Sequence, residues 1–257
     1  MPDAERISIH WAGYSMLPAI MALIRTALAA EPELQRFALI SGVDYPARSI
    51  DHIMEELAQD RERVAIVRRL YWTGDHHIDQ HASRAWIGDN ALLNPRATSP
   101  FVARVVRAIE RRLKCPENYG VPIYHGCGWW ALTREAIDFT LETVRREPRR
   151  LTWFRWRFAP EEMFFPSIVA EMKYGVNPPL DEKGIGIKGD DLTPIHYIDW
   201  INPNPDLPRT LDLDDLPAIV ATEALFVRKT DPVRSATLLD ALDAHARADS
   251  RAPEPAL

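Results

Sequence analysis

Short apolar runs alternate with amphipathic segments between residues 15 and 72, and this alternation restricts the fold more than any other feature of the sequence. Residues 15–30 carry apolar side chains at helical spacing, and "FALI" at 37–40 is a buried-strand pattern that ends in a turn. Residues 49–60 begin at a serine N-cap and predict a second helix, and 63–72 predict a second strand. Helix and strand in this succession predict a three-layer α/β domain.

Length and composition exclude several classes of protein. The chain has 257 residues and a net charge of −6, which argues against nucleic-acid binding by bulk electrostatics. Two cysteines, Cys115 and Cys127, do not form a disulfide framework and favour a reducing compartment. There is no signal peptide and no apolar stretch that could span a bilayer. We expect a soluble cytoplasmic protein, with residues 1–247 as one domain and 248–257 as a disordered tail.

The rest of the chain continues the α/β pattern. Predicted helices cover 99–113, 133–147, 159–173 and 234–246, and predicted strands lie within 121–132 and 195–200. The first of these helices has an arginine-rich face. A solvated surface is its simpler interpretation, and contact with the periphery of a membrane is the alternative.

Two acidic residues begin the helix in "APEEMFF". Glu161 and Glu162 lie in the first turn, where a negative charge interacts favourably with the positive end of the helix dipole. This interaction alone is a sufficient reason for two acidic residues at this position. A carboxylate held at a helix start can also act as a general base, but the dipole would lower its pKa, so this function requires compensating burial. Aromatic neighbours on both sides would supply an apolar wall, or would form the core.

Three further segments carry side chains that could take part in binding or catalysis. Arg228 and Lys229 in "LFVRKTDP" are either a solvated surface or cations for a diphosphate. "GDHHIDQH" at 74–81 has metal-ligand side chains but no established zinc spacing, so a polar loop is the simpler interpretation and a metal-dependent hydrolase the alternative. In "YHGCGWWAL", Trp129 and Trp130 form a platform for a sugar or belong to the core.

The order of these segments resembles the core-2/I-branching glycosyltransferase family, which includes β-1,6-N-acetylglucosaminyltransferases and peptide O-xylosyltransferases. The resemblance runs over residues 7–240 and rests on segments that match the family's blocks in sequence: "HWAGYSML", "FALISGVDYPARSIDHI", "HGCGWWALTREAIDFTLETV", "APEEMFFPSIV", "IHYIDW" and "LFVRKTDP". It implies a GT-A-like three-layer nucleotide-diphospho-sugar transferase fold. It also implies an inverting transfer of N-acetylglucosamine or xylose from a UDP-sugar to a hydroxyl of a glycan or protein.

The resemblance also implies roles for individual residues. Glu162 matches the family's base, and Glu161 stands where the family has an aspartate. Arg228 and Lys229 match the cations that neutralise the diphosphate without a metal or other cofactor, with Lys229 favoured. Where some members have an arginine, this chain has His196, so either a protonated His196 or Arg209 takes that role.

"SGVDYP" at 41–46 would form the rim of the ligand cleft, because open α/β sheets bind ligands beyond their strand ends. Asp44 there either holds a sugar or ribose hydroxyl or braces the turn, and the ligand role is slightly favoured. Trp129, Trp130 and Glu161 are assigned to the acceptor.

The chain begins close to the family's Trp-Gly-Gly segment, without the β-α-β stretch that usually precedes it. We therefore expect an N-terminally incomplete domain, from a misassigned start, a truncated gene or a divergent protein. A non-catalytic relative that binds glycans or a partner enzyme is the alternative function.

Overall fold

The computed structural model describes residues 6–70, 82–83, 85–113, 115, 119–175, 194–200 and 208–249. Within these ranges the fold is mixed α/β. The helices are α1 (Met16–Ala30), α2 (Ile50–Ala58), α3 (Pro100–Glu110), α4 (Arg134–Arg146), α5 (Pro148–Thr152), α6 (Glu161–Tyr174), α7 (Leu216–Val220) and α8 (Ala236–Asp249), with 3₁₀ turns at Trp153–Trp156 and Leu213–Asp215. The strands are β1 (Arg36–Ala38), β2 (Asp44–Pro46), β3 (Ile66–Arg69), β4 (Tyr124–Gly126), β5 (Ala131–Thr133), β6 (His196–Ile198) and β7 (Phe226–Arg228).

Local signals fix the starts of several helices, as the sequence predicts. The Ser49 side chain accepts the His52 N–H at the start of α2, and the Thr133 side chain accepts the Ala136 N–H at the start of α4. Each cap satisfies a backbone donor that the helix itself leaves without a partner. The "DLDD" segment begins a 3₁₀ turn through a capping box between Asp212 and Asp215.

The strands form three small sheets among the described residues. β1 pairs with β5, β3 pairs with β4, and β2, β7 and β6 form a three-stranded sheet in that order. β7 runs antiparallel to β2 and parallel to β6. The α/β class is therefore confirmed, while one continuous three-layer sheet of GT-A type stays a prediction.

The chain divides into two compact units, which are described separately. The first comprises the described residues of 1–37, 64–128 and 133–192, and the second those of 38–63, 129–132 and 193–257. The prediction of a single domain over 1–247 stays a prediction, and residues 250–257 of the expected tail lie outside the described residues.

An apolar cluster covers one face of the three-stranded sheet in the second unit. Val227 of β7 lies in this cluster with Tyr45 of β2 and Tyr197 of β6 packed against it. Leu238 and Leu242 of α8 complete the cluster from the other side. The tyrosine hydroxyl of Tyr45 also donates to Asp243, 2.9 Å away, so α8 is fixed to the sheet by both apolar and polar contacts.

In the first unit, helix α6 and the strand pair β3–β4 pack closely against each other. The Tyr124 N–H donates to the Ser167 hydroxyl at 2.9 Å, and that hydroxyl lies 2.6 Å from the Met163 carbonyl oxygen. Phe164 and Phe165 are fully buried, and Phe164 meets Phe154 edge to face. The aromatic residues near the paired glutamates are therefore largely core.

Candidate functional site

The second face of the three-stranded sheet carries Asp44, Arg228 and His196. Asp44 lies directly opposite Arg228, and His196 lies opposite Phe226. Because side chains alternate along a strand, these residues point away from the face that Tyr45, Val227 and Tyr197 give to the core. The strand order thus brings together residues that are 152 and 184 positions apart in the sequence.

The Asp44 carboxylate accepts hydrogen bonds from three residues. Oδ2 accepts the Ser41 N–H at 2.7 Å and lies 3.1 Å from His196 Nε2. Oδ1 accepts the Ser41 hydroxyl at 3.0 Å and Arg228 Nη1 at 2.6 Å. Burial raises the pKa of Asp44, but the hydrogen bonds from His196, Arg228 and the Ser41 backbone outweigh it and hold the pKa below its usual range.

Trp129 lies against this cluster. The Arg228 guanidinium carbon is 4.1 Å from the Trp129 ring centroid, and the rings of Trp129 and His196 are 5.4 Å apart. A guanidinium on an indole face is held by cation–π attraction as well as by its ion pair. Asp44, Arg228, His196 and Trp129 therefore form a connected group, defined here as the Asp44 cluster.

These contacts favour the bracing role of Asp44 over the ligand role that the sequence slightly favoured. Its side chain is about 1% exposed, and both carboxylate oxygens already accept two hydrogen bonds each. The "SGVDYP" segment is thus a turn followed by a short strand, held to β7 and β6 by this aspartate. His196 is equally buried, and its Nδ1 has no hydrogen-bond partner among the described residues.

The cations assigned to a diphosphate differ in their surroundings. Arg228 is paired with Asp44, so part of its charge is already compensated. Arg209 is paired with Asp199 at 2.9 Å and also with Asp215, which makes it a poor substitute for a family arginine. Lys229 is half-buried at the end of β7, where its backbone carbonyl accepts the Leu211 N–H at 2.9 Å.

The paired glutamates begin helix α6 in the first unit. Glu161 and Glu162 occupy its first turn, as predicted, and the helix continues through Pro166. Pro166 lacks the N–H that would bond to the carbonyl four residues earlier, which belongs to Glu162. The helix predicted over 159–173 is confirmed, and it begins at Glu161 although Pro166 lies within it.

Glu162 has a neighbour that the sequence did not indicate. His125 Nε2 of β4 lies 3.4 Å from Glu162 Oε2. A Cβ on Gly126 would lie 1.8 Å from the Ala65 carbonyl oxygen, and a Cβ on Gly128 would lie 3.1 Å from Glu161 Cγ. The two glycines therefore allow the backbone to pass close to β3 and to the start of α6, which brings His125 to Glu162.

Glu161 differs in protonation from an ordinary glutamate. Burial and, secondarily, the charge of Glu162 raise the pKa of Glu161 to about 8, against a smaller opposing effect of a backbone hydrogen bond. Its Oε2 is shielded from solvent and has no hydrogen-bond partner among the described residues. Glu161 therefore carries its proton at neutral pH. A general base at this helix start requires compensating burial, but the strongly buried carboxyl group of this pair is Glu161 and not Glu162, the predicted base.

The two tryptophans of "CGWWAL" have different environments. Trp130 is 1% exposed and belongs to the core, so it offers no surface to a sugar, contrary to its assignment to the acceptor. Trp129 is half-buried, and Arg228 stacks on it. The core alternative therefore holds for Trp130, and the sugar-platform role of Trp129 stays a prediction.

Two further expectations concern metals and membranes. The "GDHHIDQH" segment lies outside the described residues. Elsewhere in the part of the chain that the structure covers, no three His, Cys, Asp or Glu side chains are grouped as metal ligands. Of the helices in that same part, none has the length and apolar character needed to cross a membrane. Cys115 and Cys127 do not form a disulfide.

The chain belongs to the Core-2/I-Branching enzyme family, whose model matches residues 3–215. The family resemblance is therefore confirmed over residues 3–215, a range that contains the first five of the six segments. This family membership and the α/β fold together define the class of protein as a Core-2/I-Branching enzyme domain.

Two curated relatives come from Arabidopsis thaliana. The chain is 22% identical over 211 residues to beta-glucuronosyltransferase GlcAT14B, covering 80% of this chain and 43% of the relative. It is 24% identical over 204 residues to beta-glucuronosyltransferase GlcAT14A, covering 77% of this chain and 40% of the relative. The chain thus spans about four tenths of the length of these relatives.

Proposed function

We propose that the chain is an inverting glycosyltransferase that moves a sugar from a UDP-sugar to a hydroxyl of a glycan or protein, with Glu162 as the general base. The observation that carries this proposal is the arrangement in the first turn of α6, in a chain of this family. A neutral carboxylic acid at Glu161 lies next to a glutamate that has a histidine 3.4 Å away. A carboxylic acid that burial keeps neutral, next to a second carboxyl group, is typical of acid–base sites.

Glu162 would take the proton of the acceptor hydroxyl as its oxygen attacks the anomeric carbon of the donor. A general base of this kind contributes about 10²–10⁴-fold to the rate. His125 would orient the Glu162 carboxylate, and Glu161, as a neutral acid, would donate a hydrogen bond to an acceptor oxygen. Because Glu161 is protonated in this proposal, it places no second negative charge beside the Glu162 carboxylate.

Lys229 would neutralise the charge that develops on the departing diphosphate, and the transfer would need no metal or other cofactor. Arg228 contributes less in this proposal, because Asp44 already compensates part of its charge. Asp44 and His196 would act indirectly by holding Arg228 and the strand ends in place. The partners are then the nucleotide sugar and the acceptor, with no nucleic acid, and the location is cytoplasmic.

Three sugars are candidates for the donor. The family resemblance implies N-acetylglucosamine or xylose, and both curated relatives are named as glucuronosyltransferases. All three UDP-sugars belong in one hydrolysis and transfer screen, because each shares the nucleoside diphosphate and differs only in the sugar.

Calorimetric titration of UDP in EDTA tests the donor site. We expect micromolar-range binding that Lys229→Ala weakens and that Lys173→Ala, a lysine in the last turn of α6, leaves unchanged. Failure of UDP to bind at millimolar concentration would contradict the proposal and favour a non-catalytic relative that binds glycans or a partner. Loss of binding in EDTA with recovery on adding a divalent cation would refute metal independence.

Glu162→Gln tests the general base. We expect it to lower turnover about 10²–10⁴-fold while UDP binding is retained. Glu135→Gln, an exposed glutamate in the first turn of α4, is the matched control. Unchanged turnover in Glu162→Gln would show that another group accepts the proton.

A further inference from the structure

Helix α3 exposes an apolar surface that the core does not use. Phe101, Val105 and Ile109 lie four positions apart on the helix, and Leu113 continues the spacing just beyond it. All four are exposed, and Phe101 is 73% exposed. Residues four apart on a helix follow one another along one side, so these four side chains form a continuous strip, called here the apolar ridge.

The inward side of α3 is formed by other residues. Ala103, Val106 and Glu110 are buried. At 100° per residue they lie roughly 60–180° around the helix axis from Phe101, Val105 and Ile109. The apolar ridge is therefore a second apolar surface, separate from the side that anchors the helix to its own unit.

The exposed charges on and just beyond α3 are of one sign. Arg104, Arg107, Arg111 and Arg112 are all exposed. Glu110 is the single acidic residue between 99 and 113, and it is buried, with its Oε1 accepting the Ile87 N–H at 3.0 Å. Burial raises the pKa of Glu110 above its ordinary value. The surface is thus cationic and apolar, in a chain whose net charge is −6.

An exposed tryptophan lies near the end of this surface. The Ala85 N–H donates to the Leu113 carbonyl at 3.2 Å, and the next residue, Trp86, donates to the Trp156 carbonyl at 2.7 Å. The ring of Trp156 is more than half exposed and has Arg155 beside it. Tryptophan and arginine are the side chains typical of a water–lipid interface.

We propose that α3 lies on the surface of an anionic phospholipid bilayer, with the apolar ridge inserted among the acyl chains and the arginines on the lipid phosphates. An amphipathic helix with arginines beside exposed large apolar residues binds membranes by these two effects together. The proposal goes beyond the transferase activity and does not depend on it.

Helix α2 supports the choice of an anionic partner by contrast. It also exposes two apolar residues four apart, Ile50 and Met54, but Asp51 and Glu55 beside them are exposed acids. Its surface would be repelled by the charge that attracts α3. The chain therefore contains its own control helix, with similar exposure and opposite charge.

Vesicle flotation tests this proposal on the full chain, with phosphatidylcholine alone and with phosphatidylcholine mixed with phosphatidylglycerol. We expect flotation only with the anionic vesicles. Each arginine contributes about fivefold to partitioning, so Arg104→Gln/Arg107→Gln should lower it about 25-fold. Raising the salt from about 0.15 M to about 1 M shortens the screening length from about 8 Å to about 3 Å and should release the protein.

Phe101→Ser/Ile109→Ser should also abolish flotation, whereas Ile50→Ser/Met54→Ser on α2 should float like the wild type. All these positions are exposed, so unchanged melting temperatures will show that the variants are folded. Absence of wild-type flotation overturns the proposal, as does equal loss in both serine pairs. A dimer seen by light scattering that only Phe101→Ser/Ile109→Ser dissociates, without flotation, would instead assign the ridge to a second copy of the chain.

Discussion

Replacement of Glu161 by glutamine should change the pH dependence of folding. The folded state holds the proton of Glu161 up to about pH 8, whereas a glutamate in the unfolded chain loses it near its ordinary value of 4.5. The folded state therefore binds more protons between these two pH values, and the free energy of unfolding must fall as the pH rises through this window. Glutamine resembles the protonated acid in shape and does not titrate, so Glu161→Gln removes this contribution to the pH dependence.

The size of this effect follows from the pKa. Each pH unit over which the two states differ by a whole proton costs about 1.4 kcal/mol. Between pH 5 and pH 8 the wild type would thus lose at most about 4 kcal/mol, and partial access of solvent to Glu161 reduces this to about 2–4 kcal/mol. Glu161→Gln should be nearly as stable as wild type at pH 5 and more stable by that amount at pH 8.

Urea unfolding at half-unit steps from pH 5 to pH 8.5 measures the difference directly. Glu162→Gln is the matched control, and it should retain the larger part of the wild-type slope, because burial is a larger cause of the shifted pKa than the Glu162 charge. A constant difference between wild type and Glu161→Gln across this range would refute the neutral state of Glu161 and with it the proposed division of roles.

Three further substitutions test the packing that positions the candidate residues. Asp44→Asn should lower the free energy of unfolding by about 3 kcal/mol in urea titrations, because it leaves the half-buried Arg228 without its anion. Gly126→Ala should cost about 3 kcal/mol or reduce the folded yield, while Gly42→Ala, with no atom within 4 Å of the added carbon, should not. Ser167→Ala should cost about 1–3 kcal/mol by thermal unfolding, since a buried backbone N–H loses its acceptor. Wild-type stability in any of these variants would contradict the contact concerned.

Local chemistry made much of the fold predictable. The caps at Ser49 and Thr133 and the start of α6 depend on residues within a few positions of one another, so the sequence carries them directly. The sheets were harder, because strands of three or four residues have little periodicity to read.

The roles of Asp44 and His125 were not predictable for a different reason. The bonding of Asp44 depends on β7 lying between β2 and β6, an arrangement that no local pattern encodes. His125 is a single histidine in a three-residue strand, and only the approach of that strand to α6 gives it a partner. The one signal for it was its position just before the glycines of "HGCG".

The order of strands in the second unit also bears on how the chain is made. β7 is the middle strand of its sheet, yet the ribosome produces it after both neighbours. Until residues 226–228 emerge, β2 and β6 have no common partner, and the three-stranded sheet cannot form. Loss of residues 226–257 would therefore remove the centre of this sheet rather than an edge, and the sheet can complete folding only after residues 226–228 have been synthesised.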